Sequence, residues 1–199
     1  MTASDPTPTR DRILDAGAEL FRRQGYAATG IKQVLDLAHA PFGSLYHHFP
    51  QGKQQLAEEV LRGGGAFFLA LYEQIADAAA PDVMSGIRIF FNGAGESLMV
   101  SEYAEASPVG AVAGEVAGTH DQLRLVCAEV FESWRAGMQL RLQEAGILEE
   151  AARPLTLAVI SLLEGAFLLS RTQRSTEPMR AAGEAAAALL GAALPPART

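Results

Sequence analysis

The chain has 199 residues, a formal net charge of −7 and a hydrophobic content of 49%. This apolar content excludes general disorder, and the length allows a sizeable core in one or two domains. The single cysteine, Cys127, excludes an intramolecular disulfide and a cluster of thiolate ligands, which favours a reducing, cytoplasmic compartment.

Charge is distributed unevenly along the chain. Residues 1–62 contain seven basic and seven acidic residues, together with three of the four histidines. Residues 63–199 contain nine basic and sixteen acidic residues and therefore carry the whole net charge of −7. The overall charge gives no support to nucleic-acid binding, but the asymmetry predicts two parts with different partners.

Three short helices are predicted in the N-terminal part of the chain. The first covers 9–24, and Thr29 is the predicted N-cap of the second. Pro41 is favoured in the first turn of a third helix, which can extend only to about His48 because Phe49 precedes a proline. Three short helices, the last two joined by a tight turn, indicate a helix-turn-helix module.

The rest of the chain also predicts helices, so the fold class is all-α with about nine helices. The later helices are expected at about 53–80, 83–100, 108–118, 121–145, 153–174 and 178–194. The longest apolar run, 155–169, is too short for a bilayer and is interrupted by Glu164, which favours a buried helix in a core or a subunit interface. We therefore predict no membrane partner.

The segment APFGSLYHHFPQGKQQL, Ala40–Leu56, concentrates glycine, serine, tyrosine and two adjacent histidines. A metal site is disfavoured because adjacent helical residues point about 100° apart and no HExxH or cysteine pattern accompanies His47 and His48. A catalytic site is disfavoured because the chain lacks a GxSxG elbow and a Gly-rich phosphate loop. Cys127 lies at an apolar helical position and is predicted to belong to the core. We predict no cofactor, no metal and no enzymatic activity.

DNA binding accounts for the composition of the same segment. Small side chains at Gly43 and Ser44 allow the backbone to approach DNA closely, while Tyr46 and the two histidines offer donors to phosphates and base edges. Lys53, at the start of the next helix, can pair with a phosphate. The alternative is an exposed helix whose polar residues are merely solvated.

The stretch TGIKQVLDLAHAPFGSLYHHFPQGKQQL resembles the DNA-binding domain of the TetR family of transcriptional regulators. The matching residues are Thr29, Ile31, Ala38, Gly43, Ser44, Leu45, Tyr46, His47, His48, Phe49, Lys53 and Leu56. Pro41 and the Pro50–Lys53 insertion look like the branch typified by lincomycin- and flavonoid-responsive repressors, as do SEYAEASPVGAVAGEVA and LLEGAFLLSRTQRSTEPMR. The resemblance covers nearly the entire chain.

Three residues depart from the usual pattern of the family. His39 stands where glycine is usual in the turn, Gly30 replaces a common Thr or Ser phosphate contact, and Phe42 replaces a common lysine. Loss of that cation weakens phosphate affinity, whereas Phe42 can contact a thymine methyl. The resemblance implies a DNA-binding surface made by Thr29, Gly30, Lys32, Pro41, Phe42, Gly43, Ser44, Tyr46, His47, His48 and Lys53.

The resemblance further implies a ligand-responsive repressor that binds a near-palindromic operator as a homodimer. It implies a DNA-binding domain at 9–56 and a ligand-binding and dimerisation domain at 57–194, and the ends of the chain at 1–8 and 195–199 are predicted to be disordered tails. The expected contacts of a lipophilic or aromatic effector are Phe68, Phe90, Phe91, Met99, Tyr103, Phe131, Trp134, Met138 and Phe167. The expected dimer contacts are Leu163, Glu164, Phe167, Leu168, Arg171, Met179, Ala186 and Leu190.

Two questions stay open at the level of sequence. Gly63–Gly65 is either a hinge that couples effector and DNA binding or a plain break between two helices. The chain is either a repressor or an activator, or a ligand-binding or scaffold dimer that has lost DNA binding because of Gly30, His39 and Phe42.

Overall fold

The computed structural model of the chain describes residues 7–195, and these form nine α-helices and no strands. The helices are α1 Thr9–Gln24, α2 Ile31–Leu37, α3 Ser44–His48, α4 Lys53–Ala79, α5 Val83–Val100, α6 Gly110–Val116, α7 Asp121–Glu144, α8 Glu149–Gln173 and α9 Glu177–Ala193. The predicted all-α class and the number of helices are confirmed. The predicted tails fall almost wholly outside the described residues.

The helices form two compact units. The first comprises the described residues up to Gly64 together with Pro108–Ala128, and the second comprises Gly65–Ser107 together with the described residues from Glu129. The first unit therefore includes α6, which packs against α1. The sequence alone assigned this helix to the second domain.

The N-terminal unit has a small apolar core contributed by its short helices. Ile13 and Phe21 of α1, Leu45 of α3, and Phe49 and Leu56 on either side of the α4 start are all at most 2% exposed. This burial fixes the rotation of the five-residue α3, because one of its faces must cover α1. The opposite face of α3 is left at the surface.

Helix α2 begins at Ile31, and its N-cap is one residue later than the predicted Thr29. Gly30 is the N-cap, and its backbone N–H donates to Oε1 of Gln33 at 2.7 Å. Thr29 is 1% exposed and its hydroxyl donates to the carbonyl of Gly25 at 2.7 Å. The hydroxyl of Thr29 is therefore hydrogen-bonded within the unit. The prediction of Thr29 as the N-cap and as a DNA contact is corrected.

Helix α3 begins at Ser44 and not at the predicted Pro41. Before it, the backbone N–H of Ser44 donates to the carbonyl of Pro41 at 2.9 Å, which closes a turn over Pro41, Phe42 and Gly43. Proline fits the start of such a turn as well as the first turn of a helix, so its preference alone did not separate the two.

Helix α8 begins four residues before the predicted start at Arg153. The carbonyl of Leu148 accepts from the backbone N–H of Ala152 at 2.9 Å, and Glu149 and Glu150 favour the positive end of the helix dipole. Pro154 then lies inside the helix, where it removes one backbone donor. The resulting 25-residue helix is long and apolar enough by composition to cross a membrane, but its apolar stripe packs in the core of the second unit against α9 and α5.

Helix α4 continues without interruption through the three glycines. A Cβ atom at Gly65 would lie 2.2 Å from Cγ1 of Val130, and the Gly65 carbonyl accepts from Nε1 of Trp134 at 2.8 Å. Gly65 therefore permits close packing of α4 on α7 within the second unit. A Cβ atom at Gly63 would meet no other atom within 4 Å. The interpretation of the triplet as a break between two helices was wrong.

Alanine substitutions at Gly65 and Gly63 of α4 are therefore expected to change the free energy of unfolding in opposite directions. Gly65→Ala should lower the free energy of unfolding by about 1–3 kcal/mol, because the added methyl group overpacks the contact with Val130. Gly63→Ala should raise it by about 0.5–1 kcal/mol, because alanine costs less backbone entropy in an exposed helix. Urea unfolding followed by circular dichroism measures both changes, and equal effects of the two variants would contradict this account of Gly65.

Candidate functional site

The α2–turn–α3 segment presents aromatic and polar side chains at the surface of the N-terminal unit. Phe42 is 67% exposed and Tyr46 is 52% exposed, whereas the intervening Leu45 is fully buried. The predicted DNA contacts that are exposed are Gly30, Lys32, Pro41, Phe42, Gly43, Tyr46 and His47, and those that are half-buried are Ser44, His48 and Lys53. Large exposed aromatic side chains over a buried anchor are available for contact with a partner.

The turn between α2 and α3 is fixed by backbone hydrogen bonds. His39 has a φ of 48°, in the left-handed region that favours glycine. The Ala40 N–H donates to the carbonyl of Leu35 at 3.0 Å, and Nε of Arg12 donates to the carbonyl of Ala38 at 3.0 Å. This conformation explains why glycine suits the position, and it shows that histidine is accommodated there without loss of the turn.

The two histidines of α3 lie in contact with each other. Their ring centroids are 4.8 Å apart with an edge-to-face arrangement, closer than the angular separation of adjacent helical residues suggested. Within residues 7–195, no group of three or more His, Cys, Asp or Glu side chains is arranged to hold a metal ion. His47 is exposed and His48 is half-buried, so His47 is the more accessible donor.

The two lysines differ in their surroundings. Lys32 is exposed on α2. Lys53 is half-buried with its Nζ 4.2 Å from the ring centroid of Tyr26, and burial lowers the pKa of its ammonium group while Glu115 opposes that shift. The ammonium group of Lys53 is therefore partly engaged by its own unit, which departs from the expectation of a simple phosphate contact.

Residues of the 108–128 segment support the helix-turn-helix, a role that the sequence did not indicate. A carboxylate oxygen of Glu115 accepts from the backbone N–H of Ala27 at 2.9 Å, and His120 packs edge-on against Tyr26 with ring centroids 5.8 Å apart. Glu115 is 88 residues from Ala27 in the chain, so no local pattern could reveal the contact.

Six of the predicted effector contacts form an aromatic cluster in the second unit. The Phe68 ring lies 5.0 Å from Phe90, 4.8 Å from Trp134 and 6.4 Å from Phe167, measured between centroids. Phe131 joins this group through Trp134 and Phe91 joins it through Phe90. Hereafter these six residues are called the aromatic cluster.

The other three predicted effector contacts lie in different surroundings. Met138 is 3% exposed and lines a small apolar cavity with Tyr72 and Leu190. Tyr103 is half-buried in the loop after α5 and has a φ of 61°. Met99 is 55% exposed and lines a surface cleft of about 310 Å³ between α5 and α9, and its role as an effector contact stays a prediction. Met99 lies on the outward face of α5.

Polar groups of α8 hold the loop that follows α5. The carboxylate oxygens of Glu164 lie 2.9 and 2.8 Å from Oγ of Ser107, which donates to them. Burial raises the pKa of Glu164 to about 7, and the Ser107 hydroxyl opposes that shift. The guanidinium group of Arg171 donates to the carbonyl of Ala104 at 3.0 Å. The sequence placed Glu164 and Arg171 in a dimer interface and missed these contacts within the chain.

The predicted dimer contacts divide between core and surface. Leu163, Met179, Ala186 and Leu190 are at most 1% exposed within the single chain, and Phe167 is 7% exposed. These five side chains pack inside the second unit and offer no apolar surface to another copy, which corrects that part of the prediction. Leu168 is 63% exposed, and Glu164 and Arg171 are half-buried.

The comparisons with known proteins agree in the N-terminal and the C-terminal part of the chain. Residues 13–60 match the model of bacterial regulatory proteins of the tetR family, and residues 84–185 match the C-terminal domain of LmrA/YxaF-like transcriptional regulators. The chain is 37% identical to the HTH-type transcriptional regulator YxaF of Bacillus subtilis (strain 168), covering 86% of this chain and 89% of YxaF. It is 34% identical to LmrA of the same organism, covering 86% and 90%, and 27% identical to the HTH-type transcriptional repressor DhaR of Mycobacterium sp. (strain GP1), covering 87% of each.

Solved structures share the fold at lower sequence identity. A regulatory protein TetR from Rhodobacter sphaeroides superposes with a TM-score of 0.79 at 21% identity, covering 91% of this chain and 98% of that chain. A TetR transcriptional regulator from Legionella pneumophila superposes with a TM-score of 0.78 at 20% identity, covering 98% and 100%. The two family models and the identity to YxaF and LmrA show the family, and the shared helical fold agrees with them. The chain therefore belongs to the TetR family of transcriptional regulators, with an LmrA/YxaF-like C-terminal domain.

Proposed function

We propose that this regulator is a cytoplasmic repressor that binds a near-palindromic operator as a homodimer and is released by a lipophilic, aromatic effector. The observation that carries the proposal is the exposed surface of Phe42, Tyr46 and His47 above the buried Leu45 and Phe49. A short helix anchored on one face and aromatic and polar on the other suits insertion into a major groove. The name of DhaR as a repressor favours repression over activation.

Within this proposal, Lys32 supplies the accessible phosphate contact and Lys53 mainly positions the start of α4. Lys32 is exposed, whereas the Lys53 ammonium group lies over the ring of Tyr26. Tyr46 and His47 offer donors to base edges or phosphates, and Phe42 offers apolar contact to a thymine methyl group. The surface has few cations, so direct base contacts carry a larger share of the affinity than in a strongly basic binding domain.

Operator binding is expected to depend differently on the two lysines. With DNA selected from random oligonucleotides, Lys32→Met should reduce the slope of log affinity against log salt by about one, because one phosphate contact is lost. Lys53→Met should change the slope less and should lower thermal stability, because it removes the contact with Tyr26. Fluorescence anisotropy across a salt series measures both slopes. Absence of any salt-dependent DNA binding by the wild type would favour the scaffold function over the repressor.

The proposed dimer face lies on the outward sides of α8 and α9. Leu157, Leu168 and Leu169 of α8 and Leu189 of α9 are between 43% and 63% exposed. A Cβ atom at Gly165 would meet no atom within 4 Å, so this part of α8 is open for a second copy to approach. Exposed leucines on two adjacent helices are typical of a surface that becomes buried on association. The twofold assembly would set two α3 helices about 34 Å apart, one turn of DNA, or a multiple of that distance.

A charge on this face should therefore dissociate the dimer. Leu168→Glu is expected to give a monomer at micromolar concentration, because its carboxylate would have to be buried without a partner. Sedimentation velocity measures the change. Ile89→Glu is the matched control, since Ile89 is 51% exposed on α5, outside the proposed face. A wild-type monomer, or a dimer that tolerates Leu168→Glu, would refute this interface.

The aromatic cluster is the proposed effector region, and α4 is the proposed link from it to the DNA-binding unit. Phe68 belongs to the cluster and lies on α4, one turn after the glycine triplet. Three glycines lower the stiffness of a helix because each costs roughly 1 kcal/mol relative to alanine. The effector releases DNA only if it binds the DNA-free conformation more tightly than the DNA-bound one.

Stiffening the first two positions of the triplet should weaken this coupling. The double variant Gly63→Ala with Gly64→Ala avoids the contact of Gly65 with Val130, and a Cβ at Gly64 would lie at 3.4 Å from Pro108. We expect unchanged operator affinity and an effector requirement for release that rises about fivefold or more. Release of labelled operator by an effector found among lipophilic compounds measures the change. Gly93→Ala, at an open position in the middle of α5, is the matched control. If the effector releases the operator from the double variant as readily as from the wild type, the hinge is refuted.

A further inference from the structure

Helix α8 carries an acceptor, an aromatic ring and an unpaired hydroxyl in one row. Glu164, Phe167 and Ser170 are spaced three residues apart, so successive members of the row are neighbours on the helix surface. The first and last members are separated by about 9 Å along the helix axis and by about 120° around it, from a rise of 1.5 Å and a turn of about 100° per residue. Phe167 is also the member of the aromatic cluster that lies beside Phe68. Phe167 therefore joins the row to the proposed effector region.

The carboxylate of Glu164 has few partners for a group in its position. Within residues 7–195, the hydroxyl of Ser107 is the donor that reaches it, and one hydroxyl proton is shared between two carboxylate oxygens. Arg171, further along α8, donates through its guanidinium group to carbonyls of the loop, and Glu105 belongs to that loop. A carboxylate removed from water is stabilised only when a cation or several donors accompany it.

The hydroxyl of Ser170 is a second polar group that calls for a partner. Ser170 is fully buried, and within the described part of the chain its Oγ makes no hydrogen bond. Buried hydroxyl groups are almost always paired, and an unpaired one costs free energy comparable to a lost hydrogen bond. A ligand that reaches both Glu164 and Ser170 would satisfy two polar groups and would lie against the ring of Phe167 between them.

We propose that Glu164 and Ser170 are the polar contacts of the effector site and that the effector is a flat aromatic molecule bearing a protonated amine. The amine donates to the carboxylate of Glu164, and a polar group on the opposite edge of the molecule pairs with Ser170. The faces of the clustered rings attract the cation and exclude water from the charge pair. Since centroids in the cluster are 4.8–6.4 Å apart, the ligand enters by displacing rings from one another. This inference rests on the proposed function, because it names the chemistry of the same effector region.

A matched pair of probes tests the proposal on the full chain without DNA. 9-Aminoacridine is flat and protonated near neutral pH, whereas acridone has the same ring framework and no charge. Trp134 is the only tryptophan and belongs to the aromatic cluster, so quenching of its fluorescence reports binding there. We expect the wild type at pH 8 to bind 9-aminoacridine at least about tenfold more tightly than acridone, from one charge-assisted hydrogen bond.

Two pairs of variants separate charge recognition from general damage. Glu164→Gln keeps an acceptor for Ser107 and should abolish the preference for the cation, whereas Glu150→Gln removes an exposed charge from the same helix and should preserve it. Ser170→Ala should weaken both probes several-fold and leave their ratio unchanged, and Ser161→Ala is its exposed control. Thermal melts establish that each variant is folded.

The pH dependence provides a separate readout. The carboxylate form of Glu164 predominates above its pKa of about 7, so affinity for 9-aminoacridine should rise between pH 6 and pH 8 in the wild type but not in Glu164→Gln. The proposal is overturned if neither probe quenches Trp134, if the wild type does not prefer the cation, or if Glu164→Gln keeps the preference. Operator binding, measured separately, tests the repressor function, and its absence would leave the probe result interpretable.

Discussion

The close packing of α4 on α7 in the second unit is the constraint on which the aromatic cluster depends. The carbonyl of Gly65 accepts from the indole of Trp134, and the missing side chain of Gly65 lets Val130 approach the helix backbone. The indole is thereby fixed in position and orientation beside Phe68. The other aromatic rings then pack around these two, so one hydrogen bond and one close backbone contact organise the cluster.

The N-terminal unit likewise depends on a small number of buried contacts. Helix α3 has five residues, too few for intrinsic stability, and it persists because Leu45 and Phe49 are buried against its neighbours. Their burial determines which side chains face outward. Contacts from the 108–128 segment to Tyr26 and Ala27 add support from a distant part of the chain. The exposed surface is thus specified by core residues that cannot themselves contact DNA.

The sequence predicted elements well where local signals were decisive. The bounds of α1 and α5 follow from periodicity together with Gly25 and Asp82, and both agree with the structure. Local signals predicted the wrong start of a helix where one residue satisfies its preference in two ways. Pro41 suits a turn as well as a helix start, and the hydroxyl of Thr29 donates to the carbonyl of Gly25 instead of capping α2. The short recognition motif was recognisable because its glycine, serine and aromatic residues occur at fixed spacing.

The candidate sites in the second unit were only partly predictable. Apolar periodicity indicated which residues avoid water, but not whether these residues pack on their own chain or on a second copy. Leu163 and Leu190 were therefore assigned to an interface, although they belong to the core of the second unit. The clustering of six aromatic residues followed from their number in a helical core, whereas the pairing of Glu164 with Ser107 joins residues 57 positions apart. Contacts at that separation depend on the tertiary fold and leave no periodic trace in the sequence.

The single thiol has a practical consequence for the study of this regulator. Cys127 is 4% exposed on α7, and burial raises its pKa to about 11, so it is protonated at neutral pH and sheltered from reagents. Neither alkylation nor mild oxidation should therefore modify the native chain readily. A cysteine introduced at an exposed position would therefore be the one reactive thiol for spin labels or fluorophores. Distances between labelled positions in the regulator could then be measured without first removing the native thiol.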